Sequence, residues 1–440
     1  MKSRIAITTL AISTALLLWV AGAAADQREI EFPEVNIVDP HPAGFAFVHG
    51  GQIGIIGGFS SKDSSSHLFS FSVATGRITD EFSLRADFGA SDPDSPAESI
   101  GFLKVHSETG LIVVYGLDSN GFQKVLALAS SETGRLCKLW AISYPQRVNG
   151  IWPEVAFNED GTRLFVIYTE SASSSASQRF DLLNKRDSTV LLVRTPLRLR
   201  PLLITRSPSD AASEIVRQNI AMIGTEDGVT LAIVNLSDGS PFGGTILFDR
   251  VHKRAIAFTG QSVYVLMPGS NSFKVESRIV APDPPSFNIG LGISLNGRYA
   301  IAYRGYNVPS GSNIFYSYDL NLGTVRQLSI EENFITGLMT FHRRTGALFV
   351  PLTGEVLIND DTISISSSSR LVNIITLAAD GSLLHTANVE LPERSPGARG
   401  PNAITGFNNI EISASGALGF VSSHNGRLFA FDTLTGEIVN

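Results

Sequence analysis

Carboxylates at alternate positions are the hard oxygen donors that Ca²⁺ takes. Asp92, Asp94 and Glu98 have that spacing in the run DFGASDPDSPAES, and Asp360 and Asp361 make a second acidic pair. Neither stretch completes a calcium loop, and Asp-Pro and Asn-Asp are also ordinary turn chemistry. Ca²⁺ is thus the one ion these residues suggest, and no cofactor is predicted. The 8 histidines (His41, His49, His67, His106, His252, His342, His385 and His424) show no HxH or HExxH grouping that would hold a transition metal. His424, in SSHNG, has the setting best suited to ligand contact. With the five acidic residues it completes the candidate ligand-binding set, and no catalytic residue is assigned. His106 and His342 sit at equivalent places beside a Gly turn, which predicts a structural slot where a ring bonds turn backbone.

Other chemistry is poorly supported. There is no GxSxG elbow, no CxxCH haem attachment and no Gly-rich phosphate loop between strand and helix. Only 3 Trp occur, few for a protein that stacks a quinone cofactor. Cys137 is the single cysteine, so no intrachain disulfide can form; in RLCKLWAI it is expected as a buried structural thiol. Arg194, Arg198, Arg200 and Arg206 alternate with apolar residues, as on the solvated edge of a sheet.

These residues must be carried by strands. A short apolar-alternating run, a tight turn ending in Gly and a second apolar run recur in LKVHSETGLIVV (103–114), EVAFNEDGTRLFVI (154–167), GLGISLNGRYAIAY (290–303), LMTFHRRTGALFV (338–350) and NIEISASGALGFV (409–421). A third run closing on another Gly turn usually follows, as in FSFSVATGRI and NIITLAADGSL. Asp160 and Asp227, in NEDG and TEDG, are read as turn residues. Two-turn units repeated at this pitch predict an all-β fold: a β-propeller of four-stranded antiparallel blades. Eight units are counted, at 45–84, 99–142, 150–205, 212–249, 253–281, 287–330, 334–391 and 403–440. The fifth is thin, so seven blades is the alternative. Residues 209–218 could form one helical turn. REIEFPEVNIV (28–38), within residues 26–44, could close the ring by completing the last blade.

Lys2 and Arg4, the apolar stretch Ile5–Val20 and Ala23-Ala24-Ala25 read as a signal peptide over residues 1–25, cleaved near Ala25. The single propeller domain then spans 26–440, periplasmic or secreted, with no retained membrane anchor and a monomer as the expected state. A net charge of −7 argues against nucleic acid.

The SxxG-turn strand followed by an apolar-D-x-x-TG strand, best seen in NEDGTRLFVIYT and FDTLTGEIV, resembles the YVTN-type and WD-like propellers of exported bacterial proteins. The resemblance covers nearly all of the mature chain. It departs from the pattern in lacking the YVTN tetrapeptide, where LFVIYT or AIAYRG stands, and in lacking a Trp-Asp strand ending. It implies a scaffold and an exported setting, not a ligand. On such a scaffold the two Gly turns of each unit share one face. The Ser-rich segments SSKDSSS (60–66), ESASSSASQ (170–178), YNVPSGSN (306–313) and INDDTISISSSSR (358–370) share the other. The expected function is non-enzymatic: recognition or scaffolding of a protein, glycan or small ligand through that loop-rich rim. The rival reading is a lactonase-like hydrolase with its site in the central channel.

Overall fold

The computed structural model describes residues 45–60, 65–89, 100–117, 123–144, 154–171, 216–236, 244–260, 262–280, 289–307, 312–330, 334–336, 339–359, 362–366, 371–390, 407–412, 416–423 and 428–439. Runs rich in Val, Ile, Phe and Tyr form strands because branched and aromatic side chains fit a pleated, buried surface. The described strands make seven antiparallel sheets.

Blade 1 is β1 (Phe45–Val48), β2 (Ile53–Ser60), β3 (Ser65–Ser72) and β4 (Ile78–Ser83). Blade 2 is β5 (Ile100–His106), β6 (Leu111–Leu117), β7 (Gln123–Ser130) and β8 (Leu136–Tyr144). Blade 3 is β9 (Glu154–Phe157), β10 (Arg163–Ser171), β11 (Val216–Gly224) and β12 (Thr230–Leu236). Blade 4 is β13 (Thr245–Asp249), β14 (Arg254–Phe258), β15 (Ser262–Pro268) and β16 (Phe273–Val280). Blade 5 is β17 (Ile289–Ile293), β18 (Tyr299–Asn307), β19 (Ser312–Asp319) and β20 (Val325–Ile330). Blade 6 holds six strands: β21 (Phe334–Thr336), β22 (Thr340–His342), β23 (Ala347–Asn359), β24 (Thr362–Ser366), β25 (Leu371–Leu377) and β26 (Leu383–Glu390). Blade 7 is β27 (Phe407–Ile412), β28 (Leu418–Ser423) and β29 (Leu428–Asp432). An isolated bridge from Ile438 to Phe431 begins its fourth strand.

The ring is built in series. First strands of successive blades touch, β1 with β5, β5 with β9 and onward to β22 with β27. Six apolar cores fill the seams between consecutive sheets, among them Leu68 against Ile112 and Leu126, and Phe349 against Phe431. This is the expected propeller. Residues 28–38, assigned to ring closure, lie outside the described residues.

The division into units changes in the middle of the chain. β10 and β11 pair residue for residue from Arg163↔Gly224 to Ser171↔Val216, so the units at 150–205 and 212–249 share one sheet. β13, read as the tail of the fourth unit, instead opens the sheet of the thin fifth. Seven blades result among the described residues. The fifth unit looked thin because its first turn has no Gly: Lys253 takes the left-handed conformation (φ 54°) instead. Residues 216–218, read as part of a helical turn, belong to β11. Residues 362–366 of the Ser-rich segment are likewise strand β24, paired with β23.

The outer strand of a blade must twist strongly, and a bulge increases twist. Five blades place one extra residue there, between the third and fourth strands: Thr79, Leu139, Leu231, Glu276 and Thr386.

Candidate functional site

The two rims of the propeller differ in construction. On one, the first-to-second and third-to-fourth turns are short and end in left-handed glycines such as Gly110, Gly161, Gly297 and Gly416, with φ from 69° to 80°. Aspartates cap them: Asp160 Oδ1 accepts from Thr162 N at 3.0 Å, and Asp227 Oδ1 from Val229 N at 3.0 Å. Both are turn residues, as expected. Asp432 accepts from the backbone N–H groups of Thr435 and Leu434, which hold its carboxyl below the usual range.

Histidines lock this rim across the seams. His106 Nε2 bonds the carbonyl of Glu159 in the next blade at 3.0 Å, and its ring lies where a Cβ on Gly161 would stand. His342 packs the same way over Gly416, His252 over Gly297 and His49 over Gly110. The slot predicted for His106 and His342 thus recurs at four seams. The sequence reading missed His49 and His252, which sit just beyond the ends of β1 and β13. In blade 4, buried Asp249 accepts from Val251 N, His252 Nδ1 (2.8 Å) and Arg254 Nε (3.0 Å). That network stabilises the turn in which Lys253 replaces Gly.

The other rim carries the second-to-third connections and the passages between blades. Residues 172–215 join β10 to β11 there, and β23 with β24 extends blade 6 beyond its neighbours' second strands. All six candidate ligand residues (Asp92, Asp94, Glu98, Asp360, Asp361 and His424) lie outside the described residues, as do Arg194, Arg198, Arg200 and Arg206.

The innermost strands bring together groups that sequence reasoning did not. Lys104 Nζ lies 3.2 Å from Glu154 Oε1, joining β5 to β9. Burial, then the nearby Glu154 carboxylate, pushes the Tyr115 phenol well above the usual value, so it stays neutral. Half-buried Ala46, Val105, Ala156, Leu247, Leu291 and Phe341 of the first strands pack against the seam cores. Thr245 Oγ1 accepts from Gly290 N at 2.6 Å, and Thr340 Oγ1 donates to Ile410 O at 2.5 Å, tying strand to strand across seams. Among the described residues no three His, Cys, Asp or Glu side chains converge to hold a metal.

One constellation has the form of a nucleophile relay. Ser65 Oγ is 3.1 Å from His67 Nε2, and His67 Nδ1 is 2.7 Å from Glu81 Oε1. A nucleophile must meet its substrate, and Ser65 is 0 % exposed. The relay therefore braces β3 against β4. Cys137 departs from expectation: it is exposed. It lies on outermost β8, between buried Leu136 and the bulge at Leu139.

No protein-family model matches the sequence, and no curated protein matches it. Among solved structures, a functionally unknown protein from Desulfotomaculum acetoxidans aligns over 88% of this chain and 94% of its own, with TM-score 0.50 and 11% identity. The Cps50 (Swd1) β-propeller domain of Myceliophteria thermophila aligns over 77% and 83%, with TM-score 0.43 and 10% identity. The RRP9 WD40 repeats align over 89% and 90%, with TM-score 0.48 and 9% identity. At such identities a likeness concerns fold alone, and of the three the first is strong enough to stand beside the sheet topology. The chain is a seven-sheet propeller among its described residues, with trim, histidine-locked turns on one rim and all its long connections on the other.

Proposed function

We propose that this propeller is an exported, non-enzymatic recognition or scaffolding module that binds through the rim of long connections. The observation that carries the reading is the asymmetry of the rims. A rigid scaffold with uniform turns on one side and variable connections on the other commonly recognises partners through the variable side. A protein is the ligand class that fits so broad a rim best, with a glycan or small ligand as narrower occupants. Asp92, Asp94, Glu98, Asp360, Asp361 and His424 are the residues assigned to contact, and Ca²⁺ is the ion the acidic runs would take. Residues 1–25 direct export in this reading, with Asp26 as the mature N-terminus, and the YVTN-type exported propellers of bacteria are the group it most resembles.

The test is a displayed peptide and glycan library panned on the folded mature chain. Binders should weaken at least tenfold on Asp360→Ala/Asp361→Ala or on replacing residues 172–215 by a short linker, and keep their affinity on Glu108→Ala, which alters the opposite rim. Binders indifferent to every change on the long-connection rim, or turnover of a lactone by the purified chain, would overturn the reading.

A further inference from the structure

The rim of tight turns is divided by charge. Blades 2 and 3 place exposed Glu108, Glu132, Glu159 and Glu226 on it, against a single exposed arginine, Arg135. Blades 4 and 6 place Arg250, Lys253, Arg343 and Arg344 on it, three of them exposed and Arg343 half-buried. Six of these eight charges, Glu108, Glu132, Glu226, Arg250, Arg343 and Arg344, have no ion pair among the described residues. Lys253 reaches Glu159 only at 3.6 Å, where the two halves meet. Arg343 Nη2 donates to the carbonyl of Leu295, and Arg344 bears on His342. Apolar side chains stand out among these charges: Val229 is 51% exposed, Val251 49% and Leu295 58%, too open to belong to any of the six seams.

A surface with an acidic half and a basic half is complementary to itself. In a two-fold contact each residue pair occurs twice, so one match of acid to base serves both halves. A two-fold axis lying in this rim along the seam of blades 3 and 4 carries blade 3 of one copy over blade 4 of the other and blade 2 over blade 5, whose Leu295 carbonyl Arg343 of blade 6 reaches. Exposed Val229 on blade 3 and Val251 on blade 4 would be carried over blades 4 and 3 of the other copy, adding apolar contact inside a charged surround, the usual anatomy of an interface. An acidic peptide would satisfy the basic half and leave Glu108, Glu132 and Glu226 unmatched. We propose that the rim of tight turns is the contact surface between two copies of this chain, which leaves both rims of long connections facing outward for ligand.

Mass measured by light scattering tests this on the full mature chain, at salt of about 50 mM and about 0.5 M. The dimer is expected at low salt, with mass falling by half at high salt. Arg250→Glu/Lys253→Glu/Arg344→Glu reverses one half, and Glu108→Lys/Glu159→Lys/Glu226→Lys reverses the other. Each variant alone should be monomeric, and an equal mixture should regain double mass, because the exchanged halves match again. Melting curves confirm that both variants are folded, and the recovered mass of the mixture is a second control that no misfolded chain could pass. A monomeric wild type at low salt, or a dimer unmoved by both reversals, overturns the proposal. A monomer that binds a poly-Glu peptide, with binding lost in the Arg/Lys variant, overturns it in favour of an acidic partner. Because the rim of long connections is untouched, this result and the library result fail independently.

Discussion

Asp87 sits buried in a short helix, α1 (Arg85–Phe88), beneath two lysines of the next blade. Lys124 Nζ is 2.8 Å and Lys138 Nζ 2.7 Å from Oδ1. Burial pushes its carboxyl up, but the two ammonium groups outweigh burial and hold it below 3.8. Its contribution to stability is therefore present above pH 3.8 and lost as pH falls through the depressed folded value. Asp87→Asn strands Lys124 in a buried site and should cost about 3 kcal/mol near neutrality, read by urea unfolding. The penalty should shrink in acid. His342 works in the opposite range. Burial, then Arg344, keep it below 6.5, so the folded state prefers the neutral ring. That preference costs nothing above pH 6.5 and destabilises as pH falls through 6.5 toward the lower folded value. His342→Gln should flatten the melting temperature between about pH 7 and about pH 5. Exposed Cys137 should react fully with a maleimide in native buffer; a reaction that waits for denaturant would contradict its place on β8. Of these residues only His342 was legible as structural beforehand, because its slot repeats locally. Asp87 and Cys137 take their character from neighbours contributed by other strands, which no local pattern records.

At the level of elements, the turn glycines divide into those that only need a left-handed backbone and those that also admit a neighbour. Gly323 (φ 70°) has open space where a Cβ would go. Gly161 (φ 71°) has His106 Nδ1 2.8 Å from that point. Gly323→Ala should cost about 1 kcal/mol, the left-handed penalty alone. Gly161→Ala should cost more, about 2–3 kcal/mol, because the ring must leave the Glu159 carbonyl. The double variant Gly161→Ala/His106→Ala should recover part of the difference in a thermodynamic cycle. The Gly turns themselves were plain in the sequence, since only a few residue types tolerate positive φ. Blade 4 shows the limit of that signal. Its turn is held by Asp249 and Arg254, which replace backbone freedom with side-chain bonds, and so the unit looked incomplete.

For the whole molecule, the long connection 172–215 separates two halves of one sheet without separating them in space. β10 and β11 pair along their full length on either side of it. Loop-closure cost grows only slowly with length, so replacing 172–215 by a four- or five-residue turn should leave the melting temperature within about 3 °C or raise it slightly. A chain that no longer folds after this excision would contradict the pairing. The candidate ligand residues gathered from the sequence lie on connections of this kind and stay proposals, while the described strands supplied a site of another sort: a rim divided by charge. What the sequence alone determined was the blade, because period-two alternation and Gly turns are local properties that any four-stranded unit must write into its own residues. What only the tertiary structure decided was which runs share a sheet, which rings lock which seams and which charges face solvent together. Those depend on contacts between residues tens of positions apart, and the chain spells out neither the distance nor the direction of such contacts.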